Sequence, residues 1–124
     1  MRQNLFDSVL KDSLIEGLLK LSWENCVGAG AVIAVNLSVV VSFLTSTGAD
    51  VLTLANGTEG QIKIFIHEVD GGSVIITPTN FHGASSATLT MVTAGDCVAM
   101  MFAKGTWHLL WSTPNVEGTP LAIA

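Results

Sequence analysis

The sequence predicts a mainly β fold, a short-stranded antiparallel sandwich, a barrel or an intertwined β-structure, preceded by one N-terminal amphipathic helix. Two observations predict it. From about residue 31 onward, short runs rich in β-branched residues recur between turns that contain Gly, Asn, Asp or Pro. Before that point, apolar residues recur instead at spacings of three and four. Residues 1–30 are therefore predicted to form the helix and a glycine-rich connector, and residues 31–124 a β-domain with an extended C-terminal tail.

The N-terminal helix is predicted over residues 4–21. Asn4 is suited to cap it, and Asp7 lies near its positive end. The glycines at 28 and 30 then end the helical periodicity. We expect the apolar stripe of this helix to dock on the β-body, on a partner chain or on the surface of a larger shell. The docking residues are Leu5, Phe6, Val9, Leu10 and Leu14.

The first strand is predicted over residues 32–44, where apolar residues alternate with Asn and Ser. Residues 27–44 also have the length of a membrane span and carry no charge. The two-residue period, the β-branched residues and the lack of a flanking basic anchor favour a strand, so no membrane partner is expected. Further strands are predicted at residues 51–54, 61–69, 73–77, 88–92, 97–103 and 107–111. Tight turns are predicted at Asn56-Gly57 and Lys104-Gly105.

The composition predicts that other chains cover much of the surface. Hydrophobic residues make up 49% of the 124 residues and charged residues only 12%, and the net charge is −5. A chain of this length leaves a large part of its surface in water as a monomer, so with few charges much of that surface would be apolar. No basic run is present, which argues against a nucleic-acid partner. Two cysteines and no basic leader segment predict a protein used without secretion, with free thiols.

Alternating apolar residues in two of the predicted strands are expected in the core or in an interface between copies of the chain. These residues are Ile62, Ile64 and Ile66 in one strand, and Val98, Met100 and Phe102 in the other. Trp107 and Trp111 lie four residues apart in a third strand, so we expect them on one face. Two tryptophans on one face can anchor a core or an interface, or they can stack on sugars. Packing is the favoured interpretation.

Candidate catalytic and metal-binding side chains have no motif around them. Cys97, with His67, His82 and His108, could form a nucleophilic site, but a small thiol in an apolar strand is ordinary packing. We expect His67 and His108 on solvent or interface faces. The histidines lack the spacing of metal ligands, although a symmetric oligomer can bring copies of one histidine together on its axis. Of the ten carboxylates, Glu59, Asp70 and Asp96 lie in glycine turns, and Asp7, Asp12 and Glu16 lie on the polar side of the predicted helix. We therefore predict no enzyme activity, no metal and no cofactor.

Residues 42–111 contain segments that resemble a known class of domain. The most specific segment is residues 47–64, TGADVLTLANGTEGQIKI. Shorter ones are DGG at 70–72, TPTNF at 77–81, AGDCV at 94–98 and KGTW at 104–107. These segments resemble small β-rich domains in virion structural proteins of tailed phages and marine viruses. Similar domains occur in capsid decoration (cement) proteins, head fibres and parts of tail fibres.

The resemblance implies a non-catalytic and commonly trimeric protein. A fibre needs a long stalk or repeats, and this chain shows neither. The expected function is thus that of a homotrimeric decoration protein that bridges major capsid protein subunits and stabilises the outer shell. Its expected location is the capsid surface of a virion assembled in the host cytoplasm. The alternative is a head- or tail-fibre domain that binds host surface glycans, with Trp107 and Trp111 on an exposed face.

Overall fold

A computed structural model describes residues 20–28, 32–82, 88–114 and 116–119, and within them the regular secondary structure is β-strand. The strands are β1 (Trp23–Val27), β2 (Ile33–Ala34), β3 (Val41–Thr45), β4 (Asp50–Leu54), β5 (Gln61–Val69), β6 (Val74–Pro78), β7 (Thr88–Met91), β8 (Cys97–Ala103), β9 (Thr106–Ser112) and β10 (Glu117–Thr119). The mainly β prediction is confirmed. The predicted helix-docking residues, Leu5, Phe6, Val9, Leu10 and Leu14, lie outside the described ranges. Residues 20–22 are not helical, and the predicted connector contains β1.

The strands form two five-stranded sheets. Sheet A has the order β1-β3-β5-β8-β9, and sheet B has the order β10-β7-β6-β4-β2. From β1 to β6 the chain alternates between the sheets, and neighbouring strands are parallel. The first six strands therefore wind as three coils, each giving one strand to each sheet. The pairings of β7, β8, β9 and β10 are antiparallel.

The antiparallel prediction is wrong for these three coils. Parallel neighbours need a crossover connection, and the crossover here is a strand in the opposite sheet. The short connection at residues 46–49 carries the chain from sheet A to sheet B, and the one at residues 70–73 does the same one coil later. Neither connection forms a hairpin, so short turns between strands did not imply antiparallel pairing.

One hydrophobic core lies between the two sheets. Along β8, alternate residues are buried, so Val98, Met100 and Phe102 point inward. Sheet B contributes buried aliphatic residues from β4, β6 and β7, among them Leu54 and Leu89. Burial of both inner faces is the main stabilising term, at about 25 cal/mol for each Å² of apolar area removed from water.

The predicted strand over residues 32–44 is divided in two. β2 ends at Ala34 and β3 begins at Val41. Between them, the side-chain oxygen of Asn36 accepts the backbone N–H of Ser38 at 2.9 Å. An asparagine that binds the backbone two residues on forms an Asx turn, and this turn returns the chain to sheet A. Across the described residues, no helix combines the length and apolar character of a membrane span.

The β8–β9 hairpin turns at Lys104 and Gly105, as predicted. Both residues have positive φ, 55° and 81°, which a type I′ turn requires. The carboxylate of Glu59 accepts the N–H of Lys104 at 2.7 Å and that of Gly105 at 3.1 Å. At the other predicted tight turn the left-handed residue is Gly60, with φ of 87°, and not Gly57.

Lys104→Asn is expected to stabilise the protein by about 0.5–1 kcal/mol, because asparagine tolerates the left-handed region better than lysine does. The bonds from Glu59 use the backbone of residue 104, so the substitution retains them. Urea unfolding measures the change. Lys20→Asn, at an exposed position outside the strands, is the matched control and should leave stability unaltered. Equal effects of the two substitutions would contradict the prediction.

Candidate functional site

The outer side of sheet A carries a continuous set of large apolar side chains. Alternation along the strands directs most of these residues away from the core, and Leu110 joins them at the register shift in β9. All of them are exposed or half-buried. We call this surface the apolar face. It consists of Trp23, Val27, Phe43, Ile62, Ile64, Ile66, Ala99, Met101, Leu110 and Trp111.

Strand pairing aligns four residues of the apolar face, together with the buried Val41, in a row that crosses the whole sheet. The row contains, in order from β1 to β9, Trp23, Val41, Ile64, Ala99 and Trp111. A tryptophan thus stands at each edge of the sheet at the same height along the strands. The central member of the row lies on β5, the middle strand.

Exposure is greatest at the two edges of the face. Trp23 and Val27 on β1 are 60% and 59% exposed, and Leu110 and Trp111 on β9 are 52% and 57% exposed. The isoleucines on β5, between the two edges, are less exposed and are half-buried. An apolar surface of this extent is typical of a surface that binds another protein.

Charge is nearly absent from the apolar face. The five strands of sheet A contain three residues of the types Asp, Glu, Lys and Arg. Lys63 is fully buried, Glu24 is largely buried, and only Glu68, near the end of β5, is exposed. A partner that covers the face therefore desolvates almost no charge, which removes the main cost of burying a protein surface.

The outer side of sheet B has a different character. Threonine occupies four of its outward positions, at Thr53, Thr77, Thr88 and Thr90. Threonine keeps the β-branched shape that suits a strand, and its hydroxyl can bind water. Val51 and Ile75 occupy the other outward positions of β4 and β6, so the outer side of sheet B is mixed. It is still more polar than the outer side of sheet A and is better suited to solvent.

Aromatic contacts hold both edges of the apolar face in place. Trp23 meets Phe43 edge-to-face, with ring centroids 5.7 Å apart and an interplanar angle of 86°. At the other edge, His82 stacks on His108 with centroids 4.6 Å apart. The backbone N–H of His82 donates to the carbonyl of Trp107, so this segment covers part of the outer edge of β9. The ring contact thus orients Trp23 at the β1 edge, and the stacked histidines border the β9 edge.

The prediction that Trp107 and Trp111 share a face is wrong. Trp107 is fully buried in the core, and its indole N–H donates to the carbonyl of Ala55 at 2.9 Å. The register shifts here, because Ala99 pairs with Trp111 whereas Met100 pairs with Leu109. The extra residue on β9 forms a β-bulge, which reverses the alternation of the side chains that follow.

The residues predicted for the core or a trimer interface divide between the two sides of sheet A. Val98, Met100 and Phe102 lie in the core. Ile62, Ile64 and Ile66 point outward and form the centre of the apolar face. The inward residues of β5 are instead Lys63, Phe65 and His67, all fully buried.

Lys63 is held inside the protein by a polar cluster that the sequence analysis missed. Its Nζ donates to the carbonyls of Asn36 and Val39, both at 2.9 Å. It also lies 3.7 Å from Glu24 Oε2, which accepts the hydroxyl of Ser42 at 2.6 Å. Burial lowers the pKa of Lys63, and the charge of Glu24 opposes that change. The cluster ties β1, β3 and β5 to the turn at residues 36–39.

His67 belongs to a second buried cluster, so its predicted place on a solvent or interface face is wrong. Its Nε2 lies 3.0 Å from the hydroxyl of Ser46. That hydroxyl accepts the N–H of Gly71 at 2.8 Å and donates to the carbonyl of Gly72 at 2.7 Å. Because the hydroxyl of Ser46 has one proton and donates it to Gly72, the Nε2 of His67 is the donor in its hydrogen bond with Ser46. These bonds join the turns that carry the chain between sheets, where a Cβ on Gly72 would overlap the carbonyl of Gly48.

The alternative nucleophilic site is not assembled by the fold. Cys97 points outward from β8, whereas His67 points into the core, so the sheet separates the thiol from that imidazole. The other two histidines stack on one another beside β9. Among the described side chains, no group of three or more His, Cys, Asp or Glu residues could hold a metal ion.

Both cysteines are free thiols with raised pKa values. Burial is the main cause at Cys26, and the nearby charge of Glu24 adds to it. At Cys97 burial alone raises the pKa. The thiolate is the reactive form of cysteine, so both thiols are less reactive than a free thiol at neutral pH.

We expect both thiols of the folded protein to react several-fold more slowly with an aromatic disulfide reagent at pH 8 than after unfolding in urea. The rate should rise with pH, because the thiolate fraction grows as the pH approaches the raised pKa values. Cys26→Ser and Cys97→Ser variants assign one rate to each thiol. Equal rates in folded and unfolded protein would contradict the prediction.

The chain was also compared with known proteins. No protein-family model matches it, and the search of curated proteins finds no match.

Proposed function

We propose that this protein is a structural subunit of a virion, a homotrimeric capsid decoration protein that bridges and stabilises major capsid protein subunits. The observation that carries the proposal is the apolar face. It has an exposed tryptophan at each edge and a central column of half-buried isoleucines, with almost no charge. Such a surface is unfavourable in water and becomes stabilising once a partner covers it. The resemblance of residues 42–111 to virion structural domains supports the choice of assembly.

The proposed mechanism is mechanical. Copies of the chain pack through their apolar faces into a closed trimer, and the trimer then sits where several capsid subunits meet. Closed symmetry presents the same contact surface three times. Each later contact forms at a high effective concentration, so individually weak contacts hold the shell together.

The second candidate is a fibre domain that binds host glycans. It rests on a pair of tryptophans on one exposed face, and Trp107 is buried in the core. The exposed pair, Trp23 and Trp111, stands at opposite edges of sheet A, about 19 Å apart at ordinary strand spacing. Two rings that far apart cannot stack on the same sugar unit. The geometry therefore favours packing over glycan binding.

Native mass measurement of the purified full chain tests the assembly. We expect a species of three times the 13.0 kDa chain mass. A stable monomer at micromolar concentration would contradict the trimer.

Quantitative mass spectrometry of purified virus particles tests the location. Many copies per capsid, labelled by a reagent that modifies only the particle surface, are expected for a decoration protein. Absence from the particles would contradict the assignment. Specific glycan binding that is lost in Trp111→Ala would favour the fibre alternative.

A further inference from the structure

We infer that the apolar face lines the three-fold axis of the trimer, with the strands of sheet A roughly parallel to that axis. The isoleucines of β5 from three copies would meet at the axis. The β1 half of each face would pack against the β9 half of the next copy. This inference rests on the trimer proposed above and specifies which surfaces meet in it.

The width of sheet A suits a ring of three. Five strands span four spacings, which is about 19 Å. Three sheets of that width, closed as a triangular prism with one further strand spacing at each corner, each stand about 7 Å from the axis, within about 2 Å of half the roughly 10 Å that separates packed sheets. Side chains of ordinary length therefore reach the axis. Four copies would stand about 12 Å from it and leave a channel.

The middle strand supplies residues suited to the axis. Ile62, Ile64 and Ile66 occupy successive outward positions on β5. Three copies of each would form three stacked apolar layers. The exposed charge of the strand, Glu68, lies beyond the last layer, where β5 approaches its end at Val69.

The two halves of the apolar face differ in size. Beside Ile64 and Ile66, the β3 side carries Val41 and Phe43, whereas the β8 side carries Ala99 and Cys97. Beside Ile62, the β8 side carries the larger Met101. In a cyclic trimer the β3 side of one copy faces the β8 side of the next, so at the levels of Ile64 and Ile66 large residues meet small ones. Interiors pack best when large and small side chains alternate across facing positions. A contact between like halves would instead place Phe43 against Phe43.

The edge tryptophans match in height. Trp23 and Trp111 belong to the same row, so strands that run parallel to a common axis bring Trp111 of one copy to the level of Trp23 in the next. The net charge of −5 makes copies repel one another in general. The apolar face, with a single exposed carboxylate near one end, is a surface where copies can approach with little repulsion.

Disulfide trapping tests this arrangement. In a full-length background carrying Cys26→Ser and Cys97→Ser, a chain with Trp23→Cys is mixed with a chain carrying Trp111→Cys and mildly oxidised. We expect a disulfide between the two different chains and little cross-linking within either chain alone. Ile64→Cys should cross-link to itself, because its copies meet at the axis. Thr53→Cys, on the outer side of sheet B, is the control and should stay monomeric on denaturing gels.

The outcomes separate this inference from the proposed function. A trimeric native mass with disulfides only between like chains would contradict the packing of the β1 half against the β9 half. It would not contradict the trimer itself. A monomeric native mass would overturn both. If the Trp111→Cys chain fails to fold, Leu110→Cys at the adjacent exposed position takes its place and must give the same mixed disulfide.

Discussion

Ile64→Lys is expected to convert the proposed trimer into a folded monomer. Ile64 lies at the centre of the apolar face, so each copy would bring an unpaired ammonium into a surface with no charge to pair with it. Burial of an unpaired charge costs several kcal/mol, which corresponds to at least about a hundredfold loss in association. The fold itself should survive, because the side chain points away from the core and water can reach it once the face is uncovered.

Mass and light-scattering measurements over a range of protein concentrations report the association, and circular dichroism reports the fold. Thr53→Lys is the matched control, since it places the same charge on the exposed outer side of sheet B. The control should remain trimeric. A trimeric Ile64→Lys variant, or loss of the trimer in both variants, would show that the apolar face is not the interface.

The sequence predicted individual strands well where alternation ended at clear turns. The strands at 61–69 and 97–103 have the predicted bounds, since Gly60 lies before the first and the Lys104-Gly105 turn follows the second. The coiled topology could not be predicted in the same way. The connections at 46–49 and 70–73 have the length and composition of hairpin turns, and only contacts distant in sequence decide that they join different sheets.

β1 was missed for a related reason. Residues 23–27 follow a helical pattern directly, and the strand exists because it pairs with β3, eighteen residues further along. Tertiary pairing of this kind can override a local pattern. The divided strand at 32–44 has the opposite cause, since one local bond at Asn36 interrupts a pattern that is otherwise suited to an unbroken strand.

The candidate site was predictable in kind but not in detail. Low charge with abundant aliphatic residues predicted a covered surface, and the isoleucines of β5 were among the residues named. The sequence did not predict which side chains of β5 and β9 point into the core. The inward side of β5 contains Lys63 and His67, whose burial depends on partners from distant segments. The exposure of Trp111 depends on a bulge, and one extra residue in a strand reverses every side chain beyond it.

Lys63→Met is expected to lower the free energy of unfolding by about 3 kcal/mol, the typical effect of removing one partner of a buried charged cluster. Methionine fills a similar volume, so the loss reports polar contacts and not a cavity. The carbonyls of Asn36 and Val39 would lose their donor, and Glu24 would lose its counter-charge. Urea unfolding at pH 7 measures the loss.

The pH dependence provides a second signature of Lys63. Its pKa in the folded protein lies below the ordinary value of 10.5, so between the two values the unfolded chain binds more protons. The stability of the wild-type protein therefore gains a contribution from Lys63 as the pH rises through that window. Lys63→Met lacks this contribution, so the stability difference between the two proteins should widen toward alkaline pH.

A double-mutant cycle with Glu24 identifies the source of the loss. In a Glu24→Gln background no carboxylate is left unpaired, so Lys63→Met should cost less than it does in the wild-type protein. Lys20→Met removes an exposed lysine from the residues just before β1 and should change stability by less than about 0.5 kcal/mol. If Lys63→Met behaved like Lys20→Met, the cluster that ties the coils together would contribute no net stability.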